Sequence, residues 1–395
     1  VPIASIALGF GQVGLTAFGM AVLAKLRTTV RERRWLSEDE VEEGLALVQL
    51  YPGPIMIDFT AYVGYRLRGM RGALAATLGF VTPSFVLMVA LSAGYFAGAR
   101  DAWMRTMVKG LDAIVVGVVA GVTLDFARAY AARPLAAGIA GAAFVADLYG
   151  ASPILVVLVA LVAGGLLLRP GPGPVAADAA NRRPSRAAGR ARRWAAVAAL
   201  AAVVLAGGAL LAAAEPRPLA TMGAGLFEIG AVAFGNGLTI LPLIAHLSVG
   251  AHHWLTPAQL NAGIAFGQVT PGPFLITAAF LGYKLGGVPG ALLATAAIFA
   301  PSFAMTLGFT EAEAVLRSWR PLRGALSGVM AGFVGLLALV VLDLGRPLLG
   351  DRAGLVLAAA SLVAAHAAKL DILWVFAGGL ALWAAAWQLG LLGLR

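Results

Sequence analysis

The first 24 residues contain no Asp, Glu, Lys or Arg, and uncharged stretches of similar length recur to the C-terminal end. As a helix, about 20 apolar residues span the ~30 Å hydrocarbon core of a bilayer. A soluble fold has no interior large enough for so many such stretches, since 60% of the chain is apolar and only 12% is charged. The class this dictates is a polytopic, all-α membrane protein. No basic region precedes the first apolar stretch, so it reads as a retained membrane segment and not as a cleavable signal peptide.

The formal net charge of +10 would suggest a nucleic-acid partner in a soluble protein. Here the Lys and Arg sit in short loops beside apolar spans, as the positive-inside rule requires. The most basic stretch, residues 169–193, has no aromatic residue interleaved with its arginines, which argues against nucleic acid as a partner. The absence of Cys excludes disulfides, thiolate metal sites and Cys nucleophiles. Four His residues, His252 and His253 adjacent among them, offer no metal-ligand spacing. Neither a metal nor another cofactor is expected.

Apolar runs of helical length fall near 3–24, 42–65, 72–98, 106–127, 134–148 and 152–168, and again near 194–214, 221–247, 258–284, 288–310, 322–344, 353–368 and 371–392. This gives about 12–13 membrane elements, several of them too short to span a bilayer unaided. Residues 169–193, with seven Arg and four Pro, read as a basic cytoplasmic linker.

The two halves repeat one another. Gly14 to Gly19 (GLTAFG) aligns with Gly230 to Gly235 (GAVAFG), Trp35-Leu36-Ser37 with Trp254-Leu255-Thr256, and Gln49-Leu50-Tyr51-Pro52-Gly53-Pro54 with Gln268-Val269-Thr270-Pro271-Gly272-Pro273. Gly64-Tyr65, Pro83-Ser84-Phe85 and Asp125 then find counterparts in Gly282-Tyr283, Pro301-Ser302-Phe303 and Asp343. The expected organisation is an N-terminal repeat at 1–168, the linker at 169–193, an extra connecting membrane helix at 194–220 and a C-terminal repeat at 221–395. If each repeat crosses six times, that extra helix inverts the second repeat, a design used by many secondary transporters. If the Pro-Gly-Pro element re-enters instead, the count falls to five and the inversion is lost. Loop charges point both ways, and inversion is the expectation.

Each Pro-Gly-Pro interrupts an apolar segment with ten or so residues on either side, so each arm is about 15–17 Å long and the break falls near the bilayer midplane. Broken backbone at that depth survives only where protein or a watery cavity satisfies it. Pro54 and Pro273 suit the first position of a helix, where the missing amide proton costs nothing. The amides just beyond, at 55–57 and 274–276, present positive dipole ends suited to an anion. One such break could be a packing kink, but two at equivalent positions favour a site. The candidate substrate-binding residues are Gln49, Pro52, Gly53, Pro54 and Ile55 with Gln268, Pro271, Gly272, Pro273 and Phe274.

The Phe-Gly breaks, Phe18-Gly19 and Phe234-Gly235-Asn236, add Gly19, Gly235 and Asn236 as lining candidates, with close glycine-mediated packing as the alternative. Pro83-Ser84 and Pro301-Ser302 read as helix kinks. Asp58, one turn after the first Pro-Gly-Pro and replaced by Thr277 in the second repeat, is the candidate for proton or ion coupling. Asp125 and Asp343 read as interfacial ion-pairing or capping residues. Ser37 and Glu40 form a capping box at a helix start.

Taken together, the Phe-Gly breaks, the Trp-Leu starts, the Pro-Gly-Pro signatures, the Gly-Tyr pairs and the Pro-Ser pairs resemble the chromate ion transporter (ChrA, CHR) family in its long, two-domain form. The family's first motif often reads FGGP, whereas Phe18-Gly19 here runs into Met20-Ala21. The resemblance implies efflux of chromate, with sulfate as a look-alike ligand, driven by membrane potential or the proton motive force across a bacterial inner membrane. The residues alone leave three classes open: an oxyanion transporter, an anion channel, and a membrane-embedded lipid-phosphate enzyme. The last lacks a carboxylate pair or a nucleophile–base pair at working spacing, so a non-enzymatic role is expected. Monomer and homodimer are both compatible with the chain.

Overall fold

The computed structural model describes residues 1–18, 21–98, 102–131, 133–168, 218–235, 237–318, 320–390 and 392. The linker at 169–193 and nearly all of the 194–220 helix lie outside them, as do Gly19 and Asn236. The first repeat contains α1 (Ile3–Thr16), α2 (Ala21–Glu32), α3 (Glu38–Leu47), the two-residue strand β1 (Gly53–Pro54), α4 (Ile55–Gly98), α5 (Ala102–Tyr130), α6 (Pro134–Leu148) and α7 (Pro153–Leu167). The second contains α8 (Pro218–Val232), β2 (Phe234–Gly235), α9 (Leu241–Ala245), α10 (Pro257–Val269), α11 (Thr277–Ser318), α12 (Arg320–Gly345), α13 (Arg352–Leu362) and α14 (Ile372–Gln388). Among the described residues, the spans long and apolar enough to cross a membrane are 55–98, 106–130, 274–311 and 324–350, two in each repeat.

Both Pro-Gly-Pro elements turn back. The Arg66 guanidinium reaches Glu40 at 2.9 Å and the Tyr62 hydroxyl reaches the Glu40 carbonyl at 3.3 Å, so the end of the arm after the break lies beside the start of α3. In the second repeat Gly263 and Gly267 of α10 face Phe280 and Thr277 in the same way. The start of each hairpin is fixed by a capping box, Ser37 with Glu40 and Thr256 with Gln259, which meets amides that a helix cannot satisfy itself.

The returning arm then reverses into a long helix through a turn that is the same in both copies. Arg68 and Gly69 adopt φ/ψ of −145/26° and 58/−147°, and Gly286 and Gly287 adopt −151/23° and 58/−146°. The second residue of each turn occupies a region that L side chains avoid. Gly64 and Gly72 then let the two arms meet backbone to backbone, as Gly282 and Gly290 do in the other repeat.

The first element folds back too. Arg68 Nε donates to the Val1 carbonyl at 2.7 Å, placing the start of α1 beside the 68–69 turn. Beyond the Phe18 break, the Trp35 ring packs 5.4 Å from Phe10 and Arg33 reaches Gln12 at 3.2 Å. In the second repeat Leu247, beyond α9, lies against Gly225 of α8. Each repeat therefore begins with two re-entrant hairpins that start and end on one face.

The long helices show that the repeats are inverted. The Tyr65 hydroxyl, beside the 68–69 turn, donates to Glu311 near the end of α11 at 2.7 Å. Phe96, near the end of α4, stacks on Tyr283 with centroids 6.2 Å apart and lies 5.1 Å from the Lys284 ammonium, beside the 286–287 turn. Thus α4 beyond its turn and α11 beyond its turn run antiparallel. We term the side bearing the 68–69 turn the near face and the side bearing the 286–287 turn the far face.

Of the two alternatives, six crossings per repeat or re-entry of the Pro-Gly-Pro element, the fold takes re-entry. With both opening hairpins re-entrant, the membrane path beyond them is one long helix each way, α4 and α5, and then the up-and-back pair α6–α7. Arg34 and Leu168 consequently share the near face, which removes the conflict among loop charges. The inversion survives the re-entry because two elements per repeat fold back and not one.

The closing hairpins are exchanged. Gly164 of α7 meets Gly324 and Gly328 of α12, and Gly335 of α12 meets Ala140 of α6. In turn Gly117 of α5 meets Ala358 and Ser361 of α13, and the Trp383 indole of α14 donates to the Thr106 carbonyl of α5 at 2.7 Å. Close approach through small residues gives dispersion contact without large side chains, the usual basis of helix association in lipid.

Candidate functional site

The four breaks meet crosswise at the centre. Strand β1 pairs in parallel with β2, Gly53 opposite Phe234 and Pro54 opposite Gly235. Reciprocally, the Gly272 amide donates to the Ala17 carbonyl at 3.0 Å. Each Pro-Gly-Pro is thus held by the Phe-Gly break of the other repeat, which supplies the backbone partners that unwound chain at this depth requires.

The Pro-Ser pairs complete the clamp, a role that the kink reading missed. Ser84 Oγ donates to the Pro271 carbonyl at 2.6 Å. Gly272 has φ +106°, and a Cβ there would collide with Ser84 Oγ. On the other side the fully buried Asp58 folds back against Gly53. Thr306 Oγ1 sits 3.1 Å from Asp58 Oδ1 and 2.9 Å from the Ser302 carbonyl, and accepts from the Tyr51 hydroxyl at 3.0 Å. Asp58 Oδ2 has no partner. Thr277, in the equivalent place, donates to the Phe274 carbonyl of its own turn at 2.9 Å. The asymmetry read between Asp58 and Thr277 therefore corresponds to two differently built clamps.

A cavity of 520 Å³ extends from the second Pro-Gly-Pro toward the near face. Its inner wall includes Gln268, Thr270, Gly272 and Phe274, with Met56 from the first repeat. Toward the near face it is lined by α5 residues up to Asp125 and Phe126 and by Lys369 and Asp371. Asp125 is held there by His366 Nδ1 at 3.1 Å and Lys369 Nζ at 3.5 Å, while Asp343, its counterpart, pairs with Arg346 at 3.4 Å. Gln268 Nε2 and Thr270 Oγ1 are buried without a partner. Two unsatisfied donor groups beside a helix start are suited to an anion.

The remaining sequence candidates distribute unevenly. Pro271, Gly272, Pro273 and Phe274 are buried around the cavity's inner end, as Gly53 and Pro54 are in the first break. Pro52, Ile55 and Gly235 are half-buried. Gln49, unlike Gln268, is exposed and donates to the Leu45 carbonyl of its own helix at 3.0 Å. Gly19 and Asn236 fall outside the described residues. Tyr51 and Thr306 were not anticipated, and their only trace in the sequence is position, since Tyr51 lies within the first Gln-x-x-Pro-Gly-Pro motif and Thr306 one turn after Pro301-Ser302.

On the near face Glu40 carries both the capping box and the Arg66 ion pair. Burial works against its ionisation, but hydrogen bonds from Ser37 and Arg66 outweigh this and hold its carboxyl below the usual range.

The Chromate transporter family profile matches residues 4–165 and 220–384, one copy on each repeat. The chain belongs to the chromate transporter family. A chromate transport protein of Pseudomonas aeruginosa is 32% identical over 358 residues, covering 85% of this chain and 80% of that protein. A chromate transport protein of Cupriavidus metallidurans is 28% identical over 312 residues (75% and 71%). An uncharacterized transporter of Methanocaldococcus jannaschii is 28% identical over 340 residues (86% and 83%). No solved structure matches the chain. Family, relatives and apolar helices together make this a multi-pass membrane transporter and not an enzyme.

Proposed function

We propose that the chain exports chromate, or a tetrahedral oxyanion of the same shape such as sulfate, across a bacterial inner membrane. The observation that carries this reading is the pair of unpartnered buried donors, Gln268 Nε2 and Thr270 Oγ1, in a cavity wall at the second Pro-Gly-Pro. An oxyanion there accepts from both groups and from the amides that open the next helix. Pro271, Gly272, Pro273 and Phe274 shape this half of the site. Gln49, Pro52, Gly53, Pro54 and Ile55 shape the half contributed by the first repeat, Gly235 lines it from the second Phe-Gly break, and Gly19 and Asn236 are assigned to the site from the sequence motif. Asp58 couples a proton through the clamp that it shares with Thr306.

The near face, with Arg31, Arg33, Arg34, Arg66 and Arg68, is cytoplasmic in this reading. Leu168 lies beside Gly324 on that side and Leu219 beside Gly286 and Gly290 on the other, which supports a membrane-crossing role for 194–220. The cavity is then the inward-open half of an alternating-access cycle. Expelling a dianion from a negative interior gains about 4.6 kcal/mol per 100 mV, more than a thousandfold in concentration.

Flux and counterflow of chromate and sulfate in proteoliposomes under an imposed potential test the proposal. Saturable, potential-driven flux with counterflow is expected. Non-saturating flux without counterflow would make the protein a channel, and no flux of either anion would end the substrate assignment.

A further inference from the structure

Some ten ångströms from Gln268 toward the far face, about seven residues of helix along α10, two buried oxygen acceptors occur together. The side chains of Asp112 on α5 and Asn261 on α10 face one another within interaction range. Asn261 is 2% exposed. Yet Asp112 Oδ1 and Asn261 Oδ1 are both buried with no donor. Buried acceptors are nearly always satisfied, and an ionised carboxylate with a single amide partner is a poor occupant of an apolar wall. One added proton satisfies the pair. It binds the carboxylate, and the resulting O–H donates to Asn261 Oδ1 while the Asn261 N–H donates to the other oxygen of the acid.

Among the described side chains no charged group is paired with Asp112. Tyr95 of α4 is within electrostatic reach of Asp112. Helices α10 and α14 carry no titratable residue. Lys109 on α5, Arg352 at the start of α13 and Asp343 near the end of α12 are exposed. His366 Nδ1 lies 3.1 Å from Asp125 Oδ1. The location ties the pair to the cavity, because α5 continues from Asp112 to the lining residues Val118, Gly121 and Val122, and α10 continues from Asn261 to Gln268.

We infer that Asp112 and Asn261 form a proton-binding site that seals the α5–α10 seam on the far side while the cavity is open to the near face. Loss of the proton leaves a bare carboxylate in the seam, which draws in water and favours opening to the far face. The inference rests on the transport reading and adds a second proton site, distinct from Asp58.

The test uses the full chain in proteoliposomes, with chromate and sulfate counterflow measured from pH 5.5 to 8.5, and impermeant maleimide labelling of Q268C, which needs no substrate. In otherwise unaltered protein both counterflow and Q268C labelling, the latter taken relative to a free thiol at the same pH, should change with pH. D112N, which mimics the protonated acid, should remove the Asp112-dependent step from both profiles and keep Q268C reactive from the near face. N261A should displace the midpoint by about 1 pH unit and keeps the test open if D112N does not fold. A pH profile unchanged in both D112N and N261A would overturn the inference. If no anion moves but labelling still follows pH through Asp112, the substrate assignment fails and the proton site stands.

Discussion

Gly272→Ala tests the central clamp through two separable costs. The first is conformational: φ +106° in a non-glycine residue costs about 1–3 kcal/mol. The second is steric, because the new methyl collides with Ser84 Oγ while lying 3.3 Å from Ser84 Cβ and 3.6 Å from the Gly14 carbonyl oxygen. Ser84→Ala alone removes the 2.6 Å bond to the Pro271 carbonyl and leaves that acceptor buried, at about 1–2 kcal/mol. In the double variant the hydroxyl is gone and the methyl meets only Cβ at a tight but tolerable distance. The double variant should therefore be less destabilised than the sum of the singles, by about 1–2 kcal/mol. The readouts are thermal unfolding of the purified variants in detergent, by fluorescence-detected size exclusion, and anion counterflow. Gly272→Ala should lose counterflow and Gly272→Ala/Ser84→Ala should regain part of it. Strict additivity, or a harmless Gly272→Ala, would refute the crossed clamp.

Because the chain has no cysteine, accessibility can be mapped on the native background. Q268C and V122C should label from the near face, whereas V340C, which answers to V122C by repeat symmetry and is 6% exposed, should label from the far face and only during turnover. Equal labelling of Q268C from both faces would contradict a one-sided cavity. Glu40, whose carboxyl is held below the usual range, stabilises the first hairpin fully above its unfolded value of about 4.3, and the contribution fades as pH falls through the folded value. The gap in melting temperature between the unaltered protein and E40Q should accordingly narrow on acidification from pH 7 to below 4. A constant gap would mean that the capping box and the Arg66 contact do not depend on charge.

The features readable from sequence were those written locally. Ser37 and Glu40 are three residues apart, so their capping box shows as a pattern. Two prolines and a glycine amid apolar residues announce a break wherever they fall. The repeat itself needed only self-comparison. Re-entry was not readable, because an arm of about ten residues has the same length whether it continues or turns back, and the contact that decides it, Arg66 with Glu40, joins residues whose charges suit any exposed surface. The roles of Ser84 and Thr306 depend on partners 187 and 248 residues away, and neither Pro-Ser nor a lone Thr reveals its partner. A carboxylate within an apolar span, such as Asp112, stands out in the sequence, but Asn261 lies in an ordinary-looking stretch of α10.

The exchanged closing hairpins bear on how the molecule is made. Helices α6 and α7 leave the ribosome ~150 residues before the α12 surface on which their glycines rest, an interval of roughly 10–30 s at ordinary elongation rates. During that time the first half waits in the bilayer with its small-residue stripe uncovered, open to capture by another nascent chain. Severed halves produced from separate messages should therefore assemble only when inserted in opposite senses, so orientation at insertion, more than affinity between the halves, governs the yield of finished transporter.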